Sequence, residues 1–227
     1  MLRWYFEGIF KHSQRLRVSA VGSLSEMKNT FLKSFLLLVL VFLGIQTFAN
    51  NPAQMVVTVR FDNSFPTDGS LRYNRQRPLT YDDFVGVVPE NAPPGNVAQT
   101  VAVIGYQMKS RTVGNRTDAI VTLSLVMAPN TSWMKPAGRT PEILRHEQTH
   151  FDIAAIYACK LKEQIASAAF RPATFKEQLR QIYNDANRAT AEEQARYDLE
   201  TLHGIDRNEQ ARWEAEIAER LRETVCF

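Results

Sequence analysis

The run His146-Glu147-Gln148-Thr149-His150 constrains this chain more than any other feature, because its chemistry works only on a helix. Residues four apart on an α-helix project from the same face, one turn from each other. Two neutral imidazoles in this arrangement, on His146 and His150, can bind one Zn²⁺ at about 2.0–2.1 Å each. Glu147 can then reach a water molecule beside the metal without binding the metal itself. The run therefore predicts a helix that carries a zinc site, with Glu147 as the general base.

A catalytic zinc takes three protein ligands and keeps one position open. His203 is the predicted third ligand, because zinc favours imidazole and a second helix can fold back along the first. Asp198 and Glu200 are the alternatives, since a carboxylate can also complete such a site. Outside the N-terminal leader, every histidine of the chain belongs to the predicted site. The sequence thus predicts His146, His150 and His203 as zinc ligands and leaves the two carboxylates open.

The N-terminal region has the pattern of an export signal. Met27 opens a short basic stretch, the apolar run Phe35–Ile45 follows, and the small residues Thr47 and Ala49 suit cleavage before Asn50. This apolar run is too short to cross a bilayer, which takes about 20 residues. We therefore expect export to the periplasm or the exterior and no stable membrane insertion after cleavage. The expected organisation is a non-native upstream extension over 1–26, a signal peptide over 27–49 and a single domain over 50–227.

Charge argues against a nucleic-acid partner. The chain has a formal net charge of +3, but six of its 27 basic residues and only two of its 24 acidic residues lie in residues 1–49. The remainder carries 21 basic and 22 acidic residues, a net charge of about −1. A near-neutral domain lacks the basic footprint that binds DNA or RNA. The expected partner is a peptide or protein substrate.

Two cysteines, Cys159 and Cys226, follow the leader. An exported protein can oxidise such a pair, and a bridge would fix the C-terminal helix. Nothing in the sequence determines the distance between them, however, so two free thiols are the slightly favoured interpretation.

The pattern of apolar residues predicts an α+β fold, with a small sheet followed by helices. Three segments rich in Val, Ile and Thr predict strands, and either of the last two offers an edge that could hold an extended peptide. Thr140-Pro141 provides an N-cap and a first-turn proline for the helix that carries the zinc motif. The predicted strands are 55–61, 100–108 and 119–127, and the predicted helices are 140–169, 174–203 and 206–224.

Several blocks of the sequence resemble a bacterial family of predicted secreted zinc-dependent proteases, a family largely described as a domain of unknown function. The resemblance runs from about residue 77 to the C-terminus, and it implies a zincin-like domain with a bound zinc. Tyr81 and Thr149 depart from the family, which often has tryptophan and glycine there, and neither position is a predicted ligand. The blocks are Thr80-Tyr81-Asp82-Asp83-Phe84 with Gly86, Ser132-Trp133, Leu144 to Ala154, and Tyr197-Asp198-x-Glu200-Thr201-x-His203-Gly204.

Together these features predict a secreted or periplasmic zinc peptidase, in which Glu147 activates a water molecule for amide hydrolysis. Two other functions fit the same residues. One is a non-enzymatic envelope protein that only binds metal, and the other is an amidase that acts on cell-wall peptides.

Overall fold

The computed structural model describes residues 53–62, 64, 68–224 and 226. The predicted upstream extension (1–26) and signal peptide (27–49) lie outside the described residues. A β-rich half followed by three helices confirms the predicted α+β class. The strands are β1 (Gln54–Phe61), β2 (Leu71–Arg72), β3 (Ala98–Gln99), β4 (Ala102–Val113), β5 (Arg116–Met127) and β6 (Trp133–Met134), and the helices are α1 (Pro141–Ser167), α2 (Phe175–Thr201) and α3 (Arg207–Glu223).

Strand β5 is the centre of the larger sheet. It pairs with β4 in an antiparallel hairpin that turns at Gly114, whose φ of 60° is accessible to glycine at low cost. The other edge of β5 pairs with two strands. Strand β1 is parallel to the first part of β5, and β2 is antiparallel to its end. Since both edges of β5 are paired, the expectation that 119–127 offers an edge for a peptide is wrong. The short strands β3 and β6 form a separate antiparallel pair.

The main core lies between this sheet and α1. Side chains of β5 alternate strictly between its two faces, and Val121, Leu123 and Leu125 are fully buried on the face toward the helix. Helix α1 covers them with small and apolar residues, among them Ala155 and Leu161. The helix that carries the zinc motif is thereby fixed along its length against the most buried strand.

A second core holds the three helices together. Ile153 and Ile156 of α1 pack with Tyr197 of α2 and with Trp213 and Ile217 of α3. The rings of Tyr197 and Trp213 meet edge to face, with centroids 5.3 Å apart. Among the described residues, no helix is long and apolar enough to cross a membrane.

A disulfide joins Cys159, in the middle of α1, to Cys226, which follows α3. The slight preference for free thiols was therefore wrong, because the folding of α3 along α1 brings the two Cα atoms to 5.9 Å. The bridge spans 67 residues, and the chain-entropy model assigns a loop of this length about 4 kcal/mol of stability.

We expect Cys226→Ser to lower the free energy of unfolding by about 4 kcal/mol, since the bridge restricts the unfolded chain. Chemical denaturation of the oxidised protein measures this loss. Reduction of the wild type should give the same midpoint as the variant, and an unchanged midpoint in both would contradict the expectation.

A partly buried ion pair links α2 and α3. Glu193 accepts two hydrogen bonds from Arg220, one of them at 3.0 Å. Burial alone would raise the pKa of Glu193, but the hydrogen bonds from Arg220 and Tyr157 and the charge of Arg220 outweigh it, and the pKa is lowered. A lowered pKa means that the pair stabilises the fold above the ordinary pKa of glutamate and loses this effect as pH falls through the lower, folded-state value.

Glu193→Gln should therefore destabilise the protein by about 2 kcal/mol at pH 7, the range of a hydrogen bond to a charged group. The difference from the wild type should shrink as the pH falls below about 4. Thermal unfolding of both proteins from pH 7 to pH 3 measures it. Glu177→Gln, at an exposed pair on the same helix, is the control, and a pH-independent difference for Glu193→Gln would refute the assignment.

Candidate metal centre

Helix α1 begins where the sequence predicts and presents the zinc motif to a cleft. The Thr140 hydroxyl accepts a hydrogen bond from the backbone N–H of Ile143, and Pro141 occupies the first turn. Two turns further on, His146, Glu147 and His150 are all buried. The predicted helix is thus confirmed, and the three side chains lie together at one wall of the cleft.

Asp198 of α2 completes the group. Its Oδ1 lies 3.1 Å from Nε2 of His146 and 2.9 Å from Nε2 of His150, and the two Nε2 atoms are 3.2 Å apart. Ligands bound to zinc at about 2.0–2.1 Å in tetrahedral geometry lie about 3.3–3.4 Å from one another. Within the part of the chain that the structure describes, these three residues are the group that could hold a metal ion. A slight outward movement would let all three atoms bind one ion.

Two glutamines orient the imidazoles. Oε1 of Gln210 lies 3.1 Å from Nδ1 of His146, and Oε1 of Gln194 lies 2.9 Å from Nδ1 of His150. An amide oxygen only accepts, so each Nδ1 carries the proton of a neutral ring, a tautomer assigned from these contacts. Each Nε2 is then left with a lone pair, as a metal ligand requires.

Three lone pairs therefore converge on one point, two from imidazoles and one from the Asp198 carboxylate. Such an arrangement is repulsive unless a cation or a proton lies between them. Burial would lower the pKa of His150, but the hydrogen bond to Asp198 and the charges of Glu147 and Asp198 outweigh burial and raise it. Burial raises the pKa of Asp198, yet the hydrogen bonds that it accepts from the histidine Nε2 atoms, when these carry a proton in place of a metal, hold that pKa well below the ordinary range. The surroundings that favour a proton here also favour a metal cation.

Glu147 adds a carboxylate that the fold leaves unsatisfied. Among the described residues, Oε2 of Glu147 is buried and has no hydrogen-bond partner. A buried carboxylate oxygen without a partner is costly, and such groups mark sites where a ligand or water binds. The Glu147 side chain lines a cleft of about 380 Å³ together with both histidines and Asp198. Its position suits the predicted general base.

His203 lies further out in the same cleft. Its Nδ1 is 3.4 Å from the Asp198 oxygen, and its side chain is half exposed. The three residues whose ligand atoms lie close enough to hold one metal ion include Asp198 and not His203. The role of His203 as third ligand therefore stays a prediction. Glu200, the other alternative, points to α3, where its carboxylate accepts a hydrogen bond from the indole N–H of Trp213 at 2.8 Å.

The position of His203 follows from the end of α2. Leu202, His203 and Gly204 all have left-handed backbone conformations, with φ of 48°, 54° and 83°. At Gly204 a Cβ atom would lie only 3.1 Å from the His146 side chain, so glycine serves both the turn and a close approach to the site. A left-handed backbone conformation costs Leu202 and His203 about 1–2 kcal/mol each, and such strain is concentrated at functional sites.

Of the remaining residues of the predicted blocks, Trp133 lines the cleft, and three others make structural contacts outside it. Tyr197 stacks on the His146 ring with centroids 4.5 Å apart and is fully buried, which agrees with packing between helices. Asp152 accepts hydrogen bonds from Tyr73 and Gln148 on a different face of α1. Asp83 caps a short 3₁₀ turn.

Residues 97–204 match a known family. It is described as a bacterial protein of unknown function (DUF922), and the match covers a little under half of the chain. This supports the resemblance at the level of the family and does not extend to zinc or proteolysis. No curated protein and no solved structure matches the chain.

The matched residues 97–204 include all three residues that could hold a metal and exclude α3. His146, Glu147 and His150 lie on α1, and Gln194 and Asp198 lie on α2, all within residues 97–204. Gln210 lies outside these residues, and neither glutamine was predicted as part of the site. Gln194 and Asp198 are four residues apart and thus on one face of α2, a signal that could have indicated both.

Proposed function

We propose that this chain is an exported zinc peptidase, in which His146, His150 and Asp198 hold the metal and Glu147 is the general base. The observation that carries the proposal is the buried Oε2 of Glu147, which has no partner among the residues that the structure describes and lies beside three convergent ligand atoms in one cleft. Two imidazole nitrogens and one carboxylate oxygen are a donor set that zinc accepts in catalytic sites. Three protein ligands leave the fourth position for water or substrate.

A bound zinc would lower the pKa of a water molecule and polarise the scissile carbonyl. Glu147 accepts the proton of the attacking water at its carboxylate and passes it to the leaving amine nitrogen. One C–O bond forms and the amide C–N bond breaks, so the products are a carboxylate and an amine. Gln194 and Gln210 hold the imidazoles in the tautomer that leaves Nε2 for the metal.

Export is supported by the signal-peptide pattern and by the Cys159–Cys226 disulfide, since disulfides persist in oxidising compartments. A purely structural zinc is the less favoured function, because structural sites are closed by four protein ligands and the described group offers three. An amidase acting on cell-wall peptides would use the same atoms on a different amide.

The test is hydrolysis of a mixed peptide library by the purified full-length protein loaded with zinc. Cleavage that stops on treatment with a chelator and returns with added zinc supports the proposal. Cleavage of cell-wall peptides alone would favour the amidase. A protein that binds one zinc ion and cuts neither class would overturn the enzymatic function and favour the metal-binding alternative.

A further inference from the structure

A chain of polar contacts, buried at His146 and Gln210, connects the candidate metal centre to α3, which lies beyond residues 97–204. Nδ1 of His146 faces Oε1 of Gln210, and Nε2 of Gln210 donates to Oε1 of Glu214 at 2.9 Å. Glu214 in turn pairs with Arg145, whose Nε is 3.5 Å away and which precedes His146 on α1. The contacts therefore form a loop from α1 to α3 and back.

This loop fixes which end of the Gln210 amide faces the histidine. A carboxylate can only accept, so Glu214 requires the amide nitrogen on its side and leaves the amide oxygen for His146. The Tyr197 hydroxyl contacts both ends of the same amide, 2.7 Å from Nε2 and 2.9 Å from Oε1, and therefore holds it in place without distinguishing its two ends. Gln210 and His146 are both buried, so water does not compete for these groups.

Helix α3 is held in place independently of this contact. Asp206 caps its first turn by accepting from the N–H groups of Asn208 and Glu209, and Trp213 is fully buried against Tyr197. The amide is thus placed by a rigid element, as an orienting group requires.

We propose that Gln210 is a positioning residue, which orients the His146 ring toward the metal. Helix α3, which lies outside residues 97–204, therefore contributes to the metal centre. Gln210 fixes the tautomer and the ring plane of His146 so that Nε2 faces the ion. The inference rests on the metal site of the proposed function, but not on peptide hydrolysis. Loss of such an outer hydrogen bond typically weakens metal affinity 10–100-fold.

The experiment compares zinc affinity of full-length variants by competition with a chromophoric chelator. Gln210→Met keeps the length of the side chain and removes the hydrogen bond, and we expect its zinc affinity to fall by about 10–100-fold. The exchange Gln210→Glu with Glu214→Gln restores an acceptor for Nδ1–H and keeps a donor and an acceptor facing each other, so it should recover most of that loss. Gln181→Met, the same change at an exposed glutamine of α2, should leave the affinity unchanged.

A spectroscopic readout separates positioning from a general loss of structure. Long-range ¹H–¹⁵N spectra of the metal-free protein report which ring nitrogen of His146 carries the proton, because zinc on Nε2 would itself fix that proton at Nδ1. Gln210→Met should lose the single Nδ1–H form. If Gln210→Met does not fold, Glu214→Ala is the second variant, because it frees the amide to rotate and should weaken zinc severalfold. Unchanged zinc affinity in a folded Gln210→Met, or no recovery in the exchange variant, would overturn the proposal. A wild type that binds zinc and cuts no peptide defeats only the proposed hydrolysis.

Discussion

Glu147→Gln should reduce peptide hydrolysis by about 10²–10⁴-fold, the usual contribution of a general base, and leave the bound zinc in place. Glutamine has nearly the same shape but cannot accept the proton of the attacking water. The change is expected to spare the metal because Glu147 is not among the three convergent ligand atoms. Steady-state kinetics and metal analysis of the same preparation measure both effects.

The control for this variant is Glu163→Gln, the same change at an exposed position of α1, which should keep full activity. Activity of Glu147→Gln within tenfold of the wild type would exclude Glu147 as the base. Loss of zinc together with activity would show instead that Glu147 is needed to bind the metal.

The same variant has an expected effect on stability. Oε2 of Glu147 is buried and has no partner in the described part of the chain, so its burial costs the metal-free protein stability. A neutral amide reduces that cost, and the metal-free Glu147→Gln protein should unfold at a temperature equal to or above that of the metal-free wild type. A group that destabilises the empty fold and is needed for turnover is typical of an active site.

Much of the fold could be predicted from local signals. Helix α1 has a cap, a first-turn proline and a functional spacing, and these features depend on residues close in sequence. The β4–β5 hairpin is rich in β-branched residues, so both strands were predicted, although each is longer than expected. The two-residue strands β2, β3 and β6 were missed because so short a segment has no periodicity.

The metal group was only partly predictable, because its members come from different helices. His146 and His150 share one helix, and their separation alone places both rings on one face. The third ligand depends on which face of α2 meets α1, which is decided by the burial of Tyr197 rather than by ligand preference. His203 lies beyond the last turn of α2, where the left-handed backbone directs it to the rim of the cleft.

Gln210 had no sequence signal at all. Glutamine is common on exposed helix faces, and its role arises only when α3 docks and brings it to His146, 64 residues earlier in the chain. The same docking joins Cys159 to Cys226. The disulfide was not favoured and the glutamine was not predicted for one reason: neither contact is local.

Asp198→Ala and His203→Ala form a matched pair that decides the third ligand. We expect Asp198→Ala to weaken zinc binding by more than about 100-fold, because loss of a ligand should exceed the 10–100-fold effect of losing a group that only orients one. His203→Ala should retain zinc within about tenfold, since its ring is half exposed and outside the convergent group. Chelator competition on both variants measures the two affinities.

The metal-free protein offers a second readout of the same pair. The hydrogen bond to Asp198 is the largest influence that raises the pKa of His150 against the opposing effect of burial. Asp198→Ala should therefore lower the pKa of His150, and His203→Ala should leave it near the wild-type value, as followed by NMR titration of the ring protons. If His203→Ala instead removes the zinc and Asp198→Ala keeps it, the Asp198 carboxylate serves only to accept hydrogen bonds from the protonated histidines of the metal-free protein. The ring of His203 would then have to move inward from the rim when the metal binds.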